Sequence, residues 1–194
     1  CTIRPGVERI DKATEPLRWS VAGLGRTGAH LISQSHGGPA YGGTPSDETV
    51  RQAVAELKSR GLEVTLYPFL FMDVPARNGL PDPYGGPDQA AYPWRGRVTG
   101  PDGEGAAAQV AALFGTAGGW GLRRFALHYA ALAAETGADG LLIGSEMRGL
   151  TMMRDAGGAF PAVAGFRALA AECRAVVGPE VSLSYAADWS EYAG

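Results

Sequence analysis

Apolar positions along this chain fall into helix-spaced and strand-spaced patches, punctuated by glycine and proline. After Thr44-Pro45-Ser46-Asp47, residues Val50, Ala53, Val54 and Leu57 recur at helical intervals. Thr44 can cap that helix, Pro45 suits its first position, and Asp47 puts a carboxylate in its first turn. Lys58 and Arg60 complement the helix C-terminus, and Gly61 suits the left-handed residue that ends a helix. Leu62 to Tyr67 is apolar and β-branched and reads as a strand. Pro68 has no amide proton to donate, so pairing should stop there, with Asp73 just beyond. Glu104 to Phe114 is an alanine-rich helix. Trp120 to Thr136 is a stronger one, with a stripe of Leu122, Phe125, Tyr129 and Leu132 and a stop at Gly137. His128 on this helix reads as structural.

The next patch carries the most information. Leu141 to Gly144 is apolar on both faces, as in a strand covered by helices, and the strand 140–146 ends abruptly at Ser145-Glu146-Met147-Arg148. Residues 147–160 read as a loop. Pro161 starts another helix with Val163, Phe166, Leu169 and Cys173 near its inner face, and Gly178-Pro179 stops it. Val181 to Trp189 is a strand running out to Asp188, Trp189, Glu191 and Tyr192. The first 25 residues are weakly patterned, with Leu17 to Val21 a short strand or hairpin arm. His30 to Ser35 is a candidate barrel strand, and His36 after it reads as a surface-loop histidine. Helix, glycine and strand in repeated order indicate α/β units on a parallel sheet.

Residues 74–103 interrupt that order. They contain Pro75, Pro81, Pro83, Pro87 and Pro93 with Tyr84, Tyr92 and Trp94, and no period. Unstructured connections of this length are either functional or disordered. Tyr92-Pro93-Trp94-Arg95-Gly96-Arg97 offers a stacking face and two cations, which suits a glycan; the competing reading is a loop that packs its own aromatics.

Composition narrows the classes. The chain has 194 residues, 45% hydrophobic and 19% charged, with a net charge of −3. That is enough for one domain with a core, and it lacks the basic balance of a general nucleic-acid binder. No apolar run approaches the roughly 20 residues of a membrane span. Cys1 and Cys173 have neither metal nor redox spacing, and Cys173 reads as a buried thiol. Opening at Cys1 and closing at Ala193-Gly194, the sequence reads as a piece of a longer protein.

Three expected strands end near Asp73, Glu146 and Asp188. In a parallel barrel those ends share one face, where carboxylates read as chemistry. Such a cluster beside Trp94, Trp189, Tyr185 and nearby arginines suits glycoside hydrolysis. That reaction requires one protonated carboxyl for the leaving oxygen and one ionised carboxyl to attack or to activate water. Carboxylates alone can also hold magnesium or calcium, but no closely spaced acidic loop or paired-histidine motif is present. Glu146 can equally pair with Arg148 at the strand exit.

The chain resembles the TIM-barrel-like, glycoside-hydrolase-like domain of the large tail proteins of gene transfer agents and related phages. The resemblance covers essentially the whole sequence. It rests on Cys1 to Gly6, Pro39 to Asp47, Val64 to Phe69 with Met72 to Pro75, Tyr92 to Arg97, Ile143 to Thr151, and Ser184 to Tyr192. It implies a partial (β/α)8 barrel filling residues 1–194, with strands missing at both ends and residues 74–103 as a long active-face loop. It implies a tail-tip or baseplate domain of a phage-like particle, assembled in the bacterial cytoplasm. The partners implied are cell-envelope glycan and other tail subunits, without direct nucleic-acid contact and without a cofactor. By position it makes Glu146 the acid/base residue that ends strand four, with Ser145 standing where that clan of glycosidases usually has Asn. The clan's nucleophile, on strand seven, lies outside this sequence. On this reading Asp73 and Asp188 tune Glu146 or hold sugar hydroxyls. Trp94, Trp189 and Tyr185 line the subsites, Glu191 contacts the substrate, and Arg95 and Arg148 read anionic groups. The alternative is a tail module that has lost turnover and binds a receptor glycan or only packs against other subunits.

Overall fold

A computed structural model describes residues 47–68, 70–72, 77, 79, 86–88, 94–118 and 121–192, together with five short strands nearer the N-terminus. Those strands are β1 (Thr2–Ile3), β2 (Ser20–Val21), β3 (Leu24–Gly25), β4 (Gln34–Ser35) and β5 (Gly38–Pro39). The later elements are α1 (Asp47–Ser59), β6 (Thr65–Leu66), β7 (Phe71–Met72), α2 (Ala106–Phe114), α3 (Leu122–Thr136), β8 (Gly140–Ser145), α4 (Arg148–Thr151), α5 (Pro161–Val177) and β9 (Ser182–Ala186).

The central sheet is parallel, in the order β6-β8-β9. Thr65 and Leu66 pair with Gly140 and Leu141, and Gly140 to Leu142 pair with Ser182 to Ser184. Between Leu142 and Ser145 the register slips, because Ser145 pairs with Ala186. Three steps along β8 therefore match two along β9. This is a β-bulge, a device that bends a strand and re-aims the side chains beyond it. β1 runs parallel to β7, through Thr2 opposite Phe71 and Ile3 opposite Met72.

The helices cover the sheet as the apolar stripes require. Leu122, Phe125, Tyr129 and Leu132 of α3 are buried, and they share one core with Leu141 and Ile143 of β8 and with Leu169 and Cys173 of α5. Gly137 ends α3 in the left-handed conformation at φ 69°, which glycine adopts without steric cost. Burial also pushes the Cys173 thiol up to about 11. His128, the structural histidine, lies 3.0 Å from Asp47 and so ties α3 to the start of α1. None of the described helices is long and apolar enough to cross a membrane.

Three expectations change. Gln34–Ser35, the end of the expected barrel strand His30–Ser35, pairs antiparallel with Gly38–Pro39 in a two-stranded ladder, while residues 30–33 lie outside the described residues. Residues 147–160 contain the one-turn helix α4, too short to carry a periodic stripe. Val163 is 47% exposed, because Ala162, Leu169 and Cys173 set the buried face of α5.

Candidate active site

The parallel sheet puts the C-terminal ends of β6, β8 and β9 on one side, and the candidate site is built there. Tyr67 follows β6, and its hydroxyl lies 2.6 Å from the Ser145 hydroxyl at the end of β8. The Glu146 amide donates to the Ala186 carbonyl at 2.8 Å, which carries the β8–β9 ladder one residue past the strand. Glu146 itself has φ +49°, in the left-handed region that residues with a side chain seldom enter. Non-glycine residues held this way concentrate at functional sites, where surrounding contacts enforce them.

Those contacts are specific. Trp94 Nε1 and the Arg95 guanidinium both donate to Glu146 Oε2, each at 2.7 Å. Arg95 also donates to the Ser145 carbonyl at 3.1 Å and to its hydroxyl at 3.0 Å. The Arg95 side chain is only 12% exposed and that of Glu146 is 32% exposed, so the pair is partly shielded while one edge of the carboxylate faces solvent. Bonds to charged groups of this kind contribute about 1.5–3 kcal/mol each. Among the described residues nothing donates to Oε1. Trp94 and Arg95 belong to a 3-10 turn at Arg95–Arg97 and its preceding residue, with the buried Gly96 at its centre. A Cβ on Gly96 would fall inside the Trp94 indole, so only glycine admits that ring.

A second layer holds the backbone after Glu146. The Met147 amide donates to the Tyr185 phenol at 2.7 Å, and that phenol donates to Glu191 at 3.1 and 3.2 Å. Burial raises the Tyr185 phenol well above its ordinary pKa, so it keeps the proton it donates. Its ring is fixed by a run of edge-to-face contacts, Phe114 to Phe166 and Phe166 to Tyr185, with centroids 5.1 Å apart in both. Gly144, in the bulge, lies against the same rings; a Cβ there would meet Phe166 at 2.8 Å and Tyr185 at 2.9 Å. Glu191 also accepts from Thr151 of α4 at 2.8 Å and from the Asp188 amide at 2.9 Å.

The expected site residues therefore divide into groups. Glu146, Trp94 and Arg95 form one cluster. Tyr185 and Glu191 stand behind it and organise the backbone, with Tyr185 tethered at its hydroxyl. Asp188 caps the 3-10 turn Trp189–Glu191 and forms a reciprocal capping box with Glu191. Ser190, through its hydroxyl and its amide, holds the Asp188 carboxyl below its usual range, and the charge of Arg148 adds to this. Trp189 and Tyr192 are exposed at 79% and 81%, so they form an open aromatic face beyond β9. Arg148 begins α4, and its Nε is buried with no hydrogen-bond partner among the described residues. Asp73 lies outside the described residues.

Sequence reasoning missed Tyr67 and Thr151. Tyr67 was findable, because it is the residue before Pro68 and so must stand at the end of its strand. Thr151 had no such signal. The final third of the long loop is joined to the chain after β8. Thr99 donates to the Gly149 carbonyl at 2.9 Å, the Arg154 amide to Asp102 at 2.8 Å, and the Gly103 amide to the Arg154 carbonyl at 2.9 Å.

Comparison with known proteins bears on this arrangement. The model of the GTA TIM-barrel-like domain matches residues 120–194. No curated protein matches the sequence. Among solved structures, the chain is similar to a GH113 β-mannanase from Alicyclobacillus acidocaldarius in complex with ManMIm, at 17% identity and TM-score 0.49, over 79% of this chain and 39% of that one. It is also similar to a GH113 β-1,4-mannanase complex at 19% identity and TM-score 0.47, over 81% of this chain and 38% of that one. The chain thus spans well under half of either enzyme. The matched residues 120–194 carry β8, β9 and the carboxylates Glu146, Asp188 and Glu191, so this part of the chain is similar to the GTA TIM-barrel-like domain, and the chain has a partial TIM-barrel-like α/β fold.

Proposed function

We propose that this chain is a glycoside-hydrolase-like module of a phage-like tail tip or baseplate that binds and cleaves bacterial envelope polysaccharide, with Glu146 as the acid/base residue. The observation that carries this reading is the Glu146 clamp. A carboxylate at the C-terminal end of a parallel strand is held in a left-handed backbone conformation, with Oε2 bound by Trp94 and Arg95. Oε1 is left to meet a glycosidic oxygen, and that oxygen is where an acid/base residue must exchange its proton. Trp94, 41% exposed, offers its ring to a sugar face beside that carboxylate, and the exposed Trp189 beyond β9 offers a second ring. The attacking carboxylate is assigned to no described residue, since Glu191 has both oxygens engaged and Asp188 caps a turn. The family's name supports a gene-transfer-agent setting, which brings tail subunits as partners and an envelope glycan as substrate.

One observation favours a second reading, glycan binding without turnover. Both neighbours of Oε2 present N–H donors, which suits an oxygen that only accepts. Reducing-end release from host envelope polysaccharide, measured for the parent and for Glu146→Gln, separates the two. The hydrolase reading expects a rate loss of about 10²–10⁴-fold in the variant. Saturable glycan binding with no product from either protein would leave the binding module.

A further inference from the structure

A cavity of about 360 Å³ lies alongside the clamp, lined by Thr99, Gly100, Asp102, Arg148, Met152 and Met153. That volume falls within the range of about 300–1,000 Å³ typical of ligand pockets. Its walls continue the two segments that hold Glu146. Trp94 and Arg95 lead into Thr99 and Asp102 on one side, and Ser145 and Glu146 lead into Arg148 and Met153 on the other.

Arg148 is the unusual member. Its Nε is buried, and among the described residues its guanidinium makes neither a hydrogen bond nor an ion pair. The acidic groups around it hydrogen-bond elsewhere, although the charge of Asp188 still reaches Arg148. Asp102 accepts from the Arg154 amide at 2.8 Å, and Asp188 is bound by Ser190. Buried polar groups in folded proteins are almost always partnered, so an arginine that lines an open cavity and leaves its buried Nε unpartnered calls for an anion from outside. The other lining groups describe what else that anion carries. Met153 is buried and Met152 is 51% exposed, giving an apolar surface, while Asp102 and Thr99 can accept hydroxyl protons.

Resting on the glycan reading above, we infer that this cavity takes an acidic saccharide unit, with its carboxylate against Arg148, its hydroxyls toward Asp102 and Thr99, and a C–H face on the methionines. The substrate is then an acidic polysaccharide, and the cavity is the subsite that selects for it.

The test follows the Arg148 Nε–Hε signal of the full chain by NMR, assigned with Arg148→Lys, during titration with glucuronate, glucose and inorganic phosphate at constant ionic strength. Glucuronate is expected to shift the signal saturably and to bind about tenfold or more tighter than glucose. In Arg148→Lys, which keeps the charge but loses the planar fork, glucuronate affinity followed on the Thr99 and Gly149 amides should fall toward that of glucose. Asp102→Asn should weaken glucuronate while leaving the Arg148 signal responsive. Equal responses to glucose and glucuronate, or phosphate matching glucuronate, would overturn the inference. The outcomes also separate it from the hydrolase reading. Cleavage of neutral glycan with no glucuronate response sinks the subsite alone. A saturable glucuronate response with no cleavage of any glycan sinks the hydrolase and leaves the pocket.

Discussion

The phenol of Tyr185 accepts from the amide of Met147 at 2.7 Å, so a side chain on β9 fixes the main chain immediately after Glu146. Tyr185→Phe keeps the ring and its edge contact with Phe166 but leaves the amide of Met147, a residue 1% exposed, without its acceptor. An unsatisfied buried donor costs about 1–3 kcal/mol, and the variant should lose that much in urea unfolding. An unchanged midpoint would mean that the tether does not hold the backbone.

The backbone of Glu146 makes a separate prediction. A left-handed residue carrying a Cβ costs roughly 1–2 kcal/mol, partly offset in glycine by its greater freedom when unfolded. Glu146→Gly and Glu146→Ala both remove the carboxylate from Arg95 and Trp94. Glu146→Gly should nevertheless be the more stable by about 1 kcal/mol in thermal or urea unfolding. Under the proposed hydrolase function, both should lose glycan cleavage alike. Equal stabilities would show that the positive φ at this position is not enforced.

Asp139 gives a pH dependence with a definite sign. Lys58 at 2.7 Å, and then the Val64 amide at 2.7 Å, hold its carboxyl below the usual range. A depressed folded-state pKa adds stability above the unfolded value, about 3.9 for Asp, and that stability is lost as pH falls through the folded value. Asp139→Asn should therefore be less stable than the parent at neutral pH, and the gap should close in acid. Urea unfolding of both proteins across that range checks it. A gap that widened in acid would reverse the assignment.

Some of this was legible in the sequence for identifiable reasons. β8 could be read because Leu141 to Ile143 is uninterrupted, and α3 because its four-residue stripe survives intact as buried core. Asp188 and Glu191 stand three apart, the spacing of a capping box, so their structural pairing was also readable. Other features left no local trace. The bulge arises from register between two strands. The left-handed Glu146 has none of the glycine or asparagine that usually announces that conformation. Trp94 and Arg95 reach Glu146 across 52 and 51 positions of chain, a separation no periodicity encodes.

The hydrogen bond from the Glu146 amide to the Ala186 carbonyl gives the site a division of labour. The anchor of the carboxylate is main chain on both sides, so it does not depend on which side chain occupies position 186. What the carboxylate meets is set by Trp94 and Arg95, at the head of the segment that runs on to Asp102 and that β8 and β9 do not supply. Substitutions along that segment can therefore change what surrounds the carboxylate while the Glu146 backbone keeps its position.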